Sequence, residues 1–357
     1  MALMAALVLV AAICYRSTRP SIHVLHGKIM GTTYNIKYVA DNSVLPENVI
    51  GKQVHRALQN VDDRMSTYKP DSELMRFNRH PVEQPFVASA DLVALIRESQ
   101  RISRMSDGAY DVTVGPLVNL WGFGAGNQAT VTSLDPARND PAFIQWLTEN
   151  GASQVPPADK VREAMKVVGY DSVAVDDDQH SLTRLKPVLV DLSSIAKGYG
   201  VDQAARALEA EGIMDYMVEV GGEIRIRGRK PDGQSWRIAI RQPELLKEQA
   251  GGIIEADNKG IATSGDYLNY YEQDGVHYSH LIDARTGYPE QHSLASVAVV
   301  ADDTATADAY ATMFMILGEE KGLALAEREC LAVYFICHTA RGFESIASTA
   351  FRPYLIQ

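Results

Sequence analysis

Two oxygen-bearing side chains stand four residues apart in a small, apolar stretch of the chain. They are Asp308 and Thr312. On a helix, residues i and i+4 share a face, so the carboxylate and the hydroxyl point the same way. Hard oxygen ligands suit Mg²⁺, which usually keeps water and phosphate oxygens as its other ligands. The pattern favours a magnesium site. The alternative is that Asp308 only stabilises the first turn of a helix.

A second polar group lies where a predicted strand meets a predicted helix, in the sequence Asp191-Leu-Ser-Ser194-Ile-Ala-Lys197. Ser194 is predicted to cap the helix, and Lys197 falls in its first turn. The free N–H groups of a helix start, together with a lysine, favour a bound phosphate. The alternative is a structural ion pair between Lys197 and either Asp191 or Asp202.

A histidine precedes a turn of sequence Asp283-Ala-Arg285-Thr-Gly287. His280 is predicted to lie on the strand that runs into this turn. An imidazole in this place is a candidate general base or phosphate ligand, and a structural role is the alternative.

The elements that position these residues follow a mixed order of helices and strands. Apolar residues at helical spacing predict helices over 48–68, 90–105, 195–211 and 305–317, with a further helix start at Ser72. Alternating or apolar runs predict strands over 28–39, 172–175, 187–192, 236–240, 260–264, 276–282 and 294–300, and residues 216–227 alternate in the same way around Gly221-Gly222. Because helices and strands do not alternate strictly, the sequence predicts the α+β class.

The chain divides into a short N-terminal segment and one large domain. Residues 3–13 form an unbroken apolar stretch of the length of a signal sequence, and Cys14 follows directly. Segment 1–20 is therefore predicted to be a lipoprotein signal or a membrane anchor, and 21–357 a single domain. Within that domain, residues 125–159 are rich in Gly, Asn, Asp and Pro, with one short helix predicted near 143–147. This composition indicates a surface insertion.

Composition and charge exclude some classes of protein. The chain of 357 residues is 46% hydrophobic and 22% charged, as is typical of globular proteins. Its formal net charge of −11 argues against nucleic-acid binding, which needs a clustered positive surface. Cys330 and Cys337 lie in a strand-like run at an odd separation, too far apart for a disulfide, and both are expected to be buried.

Nine short motifs follow one another along residues 28–318. They are Met30-Gly-Thr-Thr-Tyr34; Met65-Ser-Thr-Tyr68 with Phe77-Asn78; Asp107-Gly-Ala109-Tyr110-Asp111; Leu120-Trp-Gly-Phe123; Asp191-Leu-Ser-Ser194 with Lys197 and Asp202; Gly221-Gly222-Glu223; Ala262-Thr-Ser-Gly265; His280-Leu-Ile-Asp283 with Thr286-Gly287; and Ala307-Asp308 with Thr312. In content and order, these motifs resemble the ApbE family of FAD:protein FMN transferases. Nine segments in the family order make a coincidence improbable.

The resemblance implies a fold, an activity and a set of site residues. The fold is an α+β architecture related to the T-fold, a single catalytic domain with mixed sheets and flanking helices. The activity is Mg²⁺-dependent cleavage of FAD, transfer of FMN to a Thr or Ser hydroxyl of another protein, and release of AMP. The implied FAD-site residues are Met30, Tyr68, Ala109, Tyr110, Asp111, Asp191, Lys197 and Ile282. The implied Mg²⁺ ligands are Ser194, Asp308 and Thr312. His280 is the first choice for the acceptor of the hydroxyl proton, and Asp283 the second.

The resemblance also implies partners and a location. The partners are FAD and exported acceptor flavoproteins, such as subunits of Na⁺-pumping quinone reductases or Rnf-type complexes. Together with the N-terminal segment, this predicts a protein on the periplasmic side of the bacterial inner membrane, anchored by a lipid or by the segment itself.

Two other functions are compatible with much of this pattern. One is a Mg²⁺-dependent FAD pyrophosphatase, in which water replaces the acceptor hydroxyl at the same residues. The other is a non-enzymatic periplasmic flavin-binding lipoprotein, which would not need the oxygen pair of Asp308 and Thr312. The sequence departs from the family pattern at Ala284, where the family commonly has proline, and in the insertion.

Overall fold

The structure is a computed structural model of the chain. It describes residues 20–41, 44–124, 155–241, 250–265, 270–273 and 275–356. The predictions made for residues 3–13, for Cys14 and for the short helix at 143–147 lie outside these ranges.

Seven helices lie within the described ranges. They are α1 (Glu47–Met65), α2 (Glu73–Arg79), α3 (Ala90–Met105), α4 (Gly115–Leu120), α5 (Ala158–Met165), α6 (Ala196–Ala210) and α7 (Thr304–Arg328). The helices predicted at 48–68, 90–105 and 195–211 are confirmed, and Ser72 caps α2 by accepting the N–H of Met75 at 3.0 Å. The backbone of α7 breaks at Gly318, with φ 74°, where the sequence predicts the helix to end.

The strands form one large sheet and several small ones. They are β1 (Ser21–Ile29), β2 (Thr32–Ala40), β3 (Phe86–Val87), β4 (Val173–Asp176), β5 (Ser181–Arg184), β6 (Tyr216–Val220), β7 (Glu223–Arg227), β8 (Arg237–Arg241), β9 (Ala250–Glu255), β10 (Lys259–Gly265), β11 (Tyr270–Gln273), β12 (Val276–Ser279), β13 (Ile282–Asp283), β14 (Tyr288–Pro289), β15 (Leu294–Ala301), β16 (Ala332–Thr339), β17 (Gly342–Ala347) and β18 (Leu355–Ile356). The large sheet has eight antiparallel strands in the order β1-β2-β6-β7-β10-β15-β16-β17. The mixture of helices and antiparallel sheet confirms the α+β class.

The core lies on both faces of the large sheet. On one face, α1 and α6 pack against β1, β2 and β6, α7 packs against β15 and β16, and α3 packs against α7. The other face is covered by the small β8–β9–β18 sheet, with Trp236 and Phe351 buried between the layers. Strand β15 is therefore buried on both sides, which accounts for its continuous apolar sequence. This arrangement holds α6 and α7 side by side above the sheet.

Two strand predictions are wrong. The run 28–39, predicted as one strand, is a hairpin that turns at Met30 (φ 51°) and Gly31 (φ 71°), because both residues adopt the left-handed conformation of a tight hairpin turn. The run 187–192 is a connecting segment rather than a strand. The side chain of Asn78 binds both the N–H and the C=O of Val190, at 2.9 and 2.8 Å, and so replaces a neighbouring strand.

Two further details differ from the prediction. The run 276–282 is divided, because β12 ends at Ser279 and β13 begins at Ile282, so His280 lies in the break between them. Cys337 is buried on β16 as expected, whereas Cys330 is exposed in the turn before that strand, with φ 54°. Among the residues that the structure describes, no helix is both long enough and apolar enough to cross a membrane.

Candidate functional site

A cavity of about 290 Å³ lies where α6, α7 and the break between β12 and β13 come together. Ten of the thirteen predicted site residues line it. They are Tyr68, Tyr110, Asp111, Asp191, Ser194, Lys197, His280, Ile282, Asp308 and Thr312. These residues come from segments far apart in the chain, and the fold brings them to one place.

The start of α6 forms one wall of the cavity. The carbonyl of Leu192 accepts the N–H groups of Ile195 and Ala196 at 3.0 and 2.8 Å, and the residue before the helix makes no side-chain cap. The prediction that Ser194 caps this helix is therefore wrong. Its hydroxyl instead lies 2.9 Å from the hydroxyl of Tyr110, on the cavity wall.

Lys197, Glu223 and Asp308 form a cluster of charges beside the cavity. The ammonium group of Lys197 binds the carboxylate of Glu223 and lies 3.8 Å from Oδ1 of Asp308. The side chains of Glu223 and Asp308 are each only 3% exposed. The predicted structural partners of Lys197, Asp191 and Asp202, are not the ones that the structure shows.

Glu223 is a site residue that the sequence did not predict, although it lies in the Gly221-Gly222-Glu223 motif. The signal in the sequence is a carboxylate directly after a Gly-Gly turn, at the start of a strand that follows the apolar strand β6. A charged residue at a position that packs inward needs a partner or a ligand. In the structure this partner is Lys197.

Burial controls the electrostatics of the cluster. It raises the pKa of Glu223 to about 8, with the charge of Asp308 adding to the effect and Lys197 opposing it. Burial also raises the pKa of Asp308, against the opposing effect of Lys197. For Lys197, burial lowers the pKa, but the charges of Asp308 and Glu223 outweigh it and the net pKa is raised. When all three groups are charged, the cluster carries a net negative charge, which favours a further cation.

The oxygen atoms around Asp308 fit a magnesium ion. Asp308 and Thr312 lie one turn apart on α7, and both line the cavity together with Ser194. Oδ2 of Asp308 accepts the N–H of Gly198 at 2.9 Å, and Oδ1 points towards Lys197. No group of three or more His, Cys, Asp or Glu suited to a metal occurs in the described part of the chain. A metal here would rely on hydroxyl, backbone, water and substrate oxygens, which is the ligand set that Mg²⁺ tolerates best.

Asp111 and Asp191 also line the cavity. The carboxylate of Asp111 accepts the N–H and the hydroxyl of Thr113 and the N–H of Tyr170, each at 2.7 Å. Oδ1 of Asp191 accepts the N–H of Ser193 at 2.8 Å, which stabilises the turn into α6. Burial raises the pKa of both carboxyl groups. Both side chains therefore hold backbone segments in place while also lining the cavity.

The two predicted proton acceptors occupy different environments. His280 lines the cavity, with its ring 6.3 Å from that of Phe123 in an edge-on arrangement. Asp283 lies outside the lining. Its side chain is 1% exposed, and its carboxylate accepts the backbone N–H of Arg285 at 2.8 Å and the Nε of Arg285 at 3.0 Å. The position of Asp283 does not support a role as proton acceptor.

Three further predicted residues differ in position. Tyr68 stands at the rim of the cavity and is 69% exposed. Met30 lies outside the lining, in the β1–β2 turn next to Gly200 of α6. Ala109 is buried behind the cavity, where its carbonyl accepts the N–H of Ala284 at 3.2 Å and holds the turn after β13. Met30 and Ala109 are thus supporting residues in this structure.

Comparison with known proteins agrees with the fold. A model of the ApbE family matches residues 30–335. FAD:protein FMN transferases of Vibrio cholerae and Haemophilus influenzae are 42% and 41% identical to this chain; the matches cover 93% and 97% of it, and 92% and 95% of those proteins. The solved structure of the flavin transferase ApbE from Vibrio cholerae has a TM-score of 0.81 at 40% identity, covering 94% of this chain and 100% of that one. The apo flavinyl transferase ApbE from Pseudomonas stutzeri has a TM-score of 0.81 at 36% identity, covering 94% of this chain and 97% of that one.

The fold and these relatives together define an α+β enzyme of the transferase class. More narrowly, the chain belongs to the ApbE family.

Proposed function

We propose that this protein is an FAD:protein FMN transferase that depends on Mg²⁺, modifies a Thr or Ser hydroxyl of an acceptor protein and releases AMP. The observation that carries the proposal is the cluster of Lys197, Glu223 and Asp308 beside Thr312, in a cavity at the start of a helix. It combines a cation for phosphate with a buried carboxylate on the cavity wall for a metal.

The residues of the cavity divide the work of binding. Asp308, Thr312 and Ser194 would hold Mg²⁺, which when bound neutralises charge on the phosphates as the phosphoanhydride breaks. Lys197 and the start of α6 offer positive charge to the phosphates. Tyr68, Ile282 and Tyr110 provide aromatic and apolar surface for the ring systems of FAD.

The reaction requires one proton transfer and one exchange of bonds at phosphorus. The acceptor hydroxyl oxygen attacks the phosphorus on the FMN side, and the bond from that phosphorus to the bridging oxygen breaks. AMP leaves with the bridging oxygen. His280, on the cavity wall, accepts the hydroxyl proton. No covalent intermediate on the enzyme is needed.

Incubation with FAD and Mg²⁺, with and without an acceptor, tests the proposal. The acceptor is an exported subunit of an Rnf-type complex or a Na⁺-pumping quinone reductase, and a variant with its Thr or Ser replaced by Ala is the control. We expect one AMP released for each FMN bound covalently, measured by mass spectrometry, and no product in EDTA. Equal FMN and AMP release without any protein adduct would show a pyrophosphatase. Binding of FAD without cleavage would show a flavin-binding lipoprotein.

We also propose that the protein acts on the periplasmic side of the inner membrane. The support is the apolar stretch 3–13 followed by Cys14. If Cys14 is lipidated, Cys14→Ser releases soluble enzyme or leaves an unprocessed precursor, and mass spectrometry finds acyl groups on Cys14 of the wild type. If the segment is an uncleaved anchor, Cys14→Ser has no effect and Met1 is recovered. Full-length chain in the cytosolic fraction would contradict both forms.

A further inference from the structure

Helices α6 and α7 bind each other through a reciprocal pair of contacts. Asp202 of α6 accepts the N–H of Thr304 at 3.0 Å and the N–H of Ala305 at 2.9 Å, at the start of α7. Asp308 of α7 accepts the N–H of Gly198 at 2.9 Å, at the start of α6. The first N–H groups of a helix have no partner within it. A buried carboxylate of each helix therefore accepts hydrogen bonds from free N–H groups at the start of the other helix.

The two helices also meet without space for a side chain between them. A Cβ on Gly198 would overlap the carbonyl of Thr304 and lie 2.8 Å from Cβ of Asp308. The distance between the two helices is thus set by this backbone contact and by the hydrogen bonds of the two carboxylates. Any change in this separation moves Asp308 relative to Lys197 and Ser194, which belong to the start of α6.

Asp202 is itself held in place. Its side chain is 5% exposed, and Nη1 of Arg225 lies 3.2 Å from its Oδ1. The same Nη1 donates to the carbonyl of Asp302, just before α7, at 3.1 Å. Arg225 thereby ties Asp202 to the segment that leads into α7. Asp202 is not among the residues that line the cavity.

We propose that Asp202 is a positioning residue, which holds the start of α7 against α6 so that Asp308 and Thr312 face Ser194. This inference rests on the proposed function, because it takes these three residues as the ligands of Mg²⁺. Asp202 acts through α7 and does not touch the substrate.

Asp303 offers a matched control on the same helix. Its carboxylate accepts the N–H of Thr306 at 2.8 Å, so it caps α7 from within, whereas Asp202 caps it from α6. Asp303→Ala and Asp202→Ala each remove a cap from one helix start, and both should lower Tm. Only Asp202→Ala should disturb the contact between the two helices.

The experiment measures Mg²⁺ affinity by calorimetry on the protein saturated with FAD in the absence of an acceptor, and hydrogen exchange of the peptide that contains Gly198. We expect Asp202→Ala to raise the Kd for Mg²⁺ by about tenfold or more, as loss of a group that orients a metal ligand does. Asp303→Ala should change this Kd by less than about twofold, as expected for a group that does not orient a ligand. Exchange at Gly198 should increase in Asp202→Ala and stay protected in Asp303→Ala. Asp202→Asn, which keeps an acceptor oxygen, should recover part of both effects.

Other outcomes separate this inference from the proposed function. If the wild type binds Mg²⁺ and Asp202→Ala and Asp303→Ala have the same Kd, the positioning role is overturned while the function stands. If the wild type does not bind Mg²⁺, the metal part of the proposed function is overturned. Separately, unchanged hydrogen-exchange protection at Gly198 in Asp202→Ala would overturn the role of Asp202 in the contact between the helices. Should Asp202→Ala not fold, Asp202→Asn and Gly198→Ala replace it. Gly198→Ala separates the helices sterically with Asp202 intact and should also raise the Kd; an unchanged Kd would overturn the inference.

Discussion

Two carboxylates near the candidate site are equally buried but are neutralised differently. Asp283 receives Nε, Nη2 and the backbone N–H of Arg285, so its charge is balanced by one guanidinium. Asp308 receives one backbone N–H from Gly198, and the nearest cation, Lys197, lies 3.8 Å away and binds Glu223 more closely. A single lysine thus serves two buried carboxylates.

The difference shows which carboxylate can bind a ligand. The charge of a buried carboxylate that is paired with its own guanidinium is already neutralised, so it does not need a further cation. Such a pair is structural. The hydrogen bonds that Asp283 accepts from Arg285 raise the pKa of Arg285, and the charges of Glu290 and Asp107 add to the effect. Burial raises the pKa of Asp308, so its charged form needs a cation. The cavity supplies space for that cation next to Asp308 and not next to Asp283.

Removing Asp308, the less fully neutralised of the two carboxylates, should have the largest effect on FMN transfer. Asp308→Ala should abolish FMN transfer and leave the fold intact, because it removes the only charged side chain among the proposed Mg²⁺ ligands. Binding of FAD should weaken only partly, since its ring contacts remain. Transfer to the acceptor and the Kd for FAD are the measurements. Turnover close to wild type at saturating Mg²⁺ would remove Asp308 from the site.

Removing Lys197, the cation shared by Glu223 and Asp308, should have an intermediate effect. Lys197→Ala should raise the KM for FAD by roughly tenfold or more, because a hydrogen bond to a charged group contributes about 1.5–3 kcal/mol. The charge meets phosphate in the ground state and the transition state alike, so kcat/KM falls with it. Lys166→Ala, on a side chain that is 68% exposed, is the control. An unchanged KM would mean that Lys197 serves only as the structural partner of Glu223.

Changing Asp283, which is paired with Arg285, should have the smallest effect on catalysis. Asp283→Asn should lower the free energy of unfolding by about 1–2 kcal/mol, discounted because the Arg285 side chain is 36% exposed. The rate of FMN transfer should stay within about threefold, a change of less than about 1 kcal/mol in the barrier. Urea unfolding and transfer assays measure the two effects. A large fall in rate at unchanged stability would restore Asp283 as a proton acceptor and break the comparison.

The sequence predicts the helices of this fold better than its strands. The apolar spacing of α1, α3 and α6 is regular because each helix packs one face on the core. The turn at Met30 and Gly31 interrupts an alternating run without a change in pattern, so the hairpin is not visible from alternation. The segment 187–192 is buried and apolar like a strand, but the backbone of Val190 is bound by the side chain of Asn78, which is 112 positions away.

For the site, short motifs identified most of the lining residues but not their pairings. Ten of the thirteen predicted residues line one cavity, because the fold brings the segments that carry these motifs together there. The partner of Lys197 lies 26 residues further along, on a strand after a glycine turn, and only the packing of α6 on β7 brings Glu223 to it. The same holds for Asp202, whose contact with α7 spans about a hundred residues.

The burial of α7 has a consequence for how this enzyme can evolve. Every residue from Thr304 to Gly318 is buried or half-buried, and alanine occupies alternate positions from Ala305 to Ala311. A larger side chain at these alanines would overpack the core at a cost of about 1–3 kcal/mol. Lineages that acquire new acceptor proteins will therefore keep this helix nearly constant. Adaptation to a new acceptor will fall on exposed positions at the rim, such as Tyr68, where substitution leaves the ligand-bearing helix undisturbed.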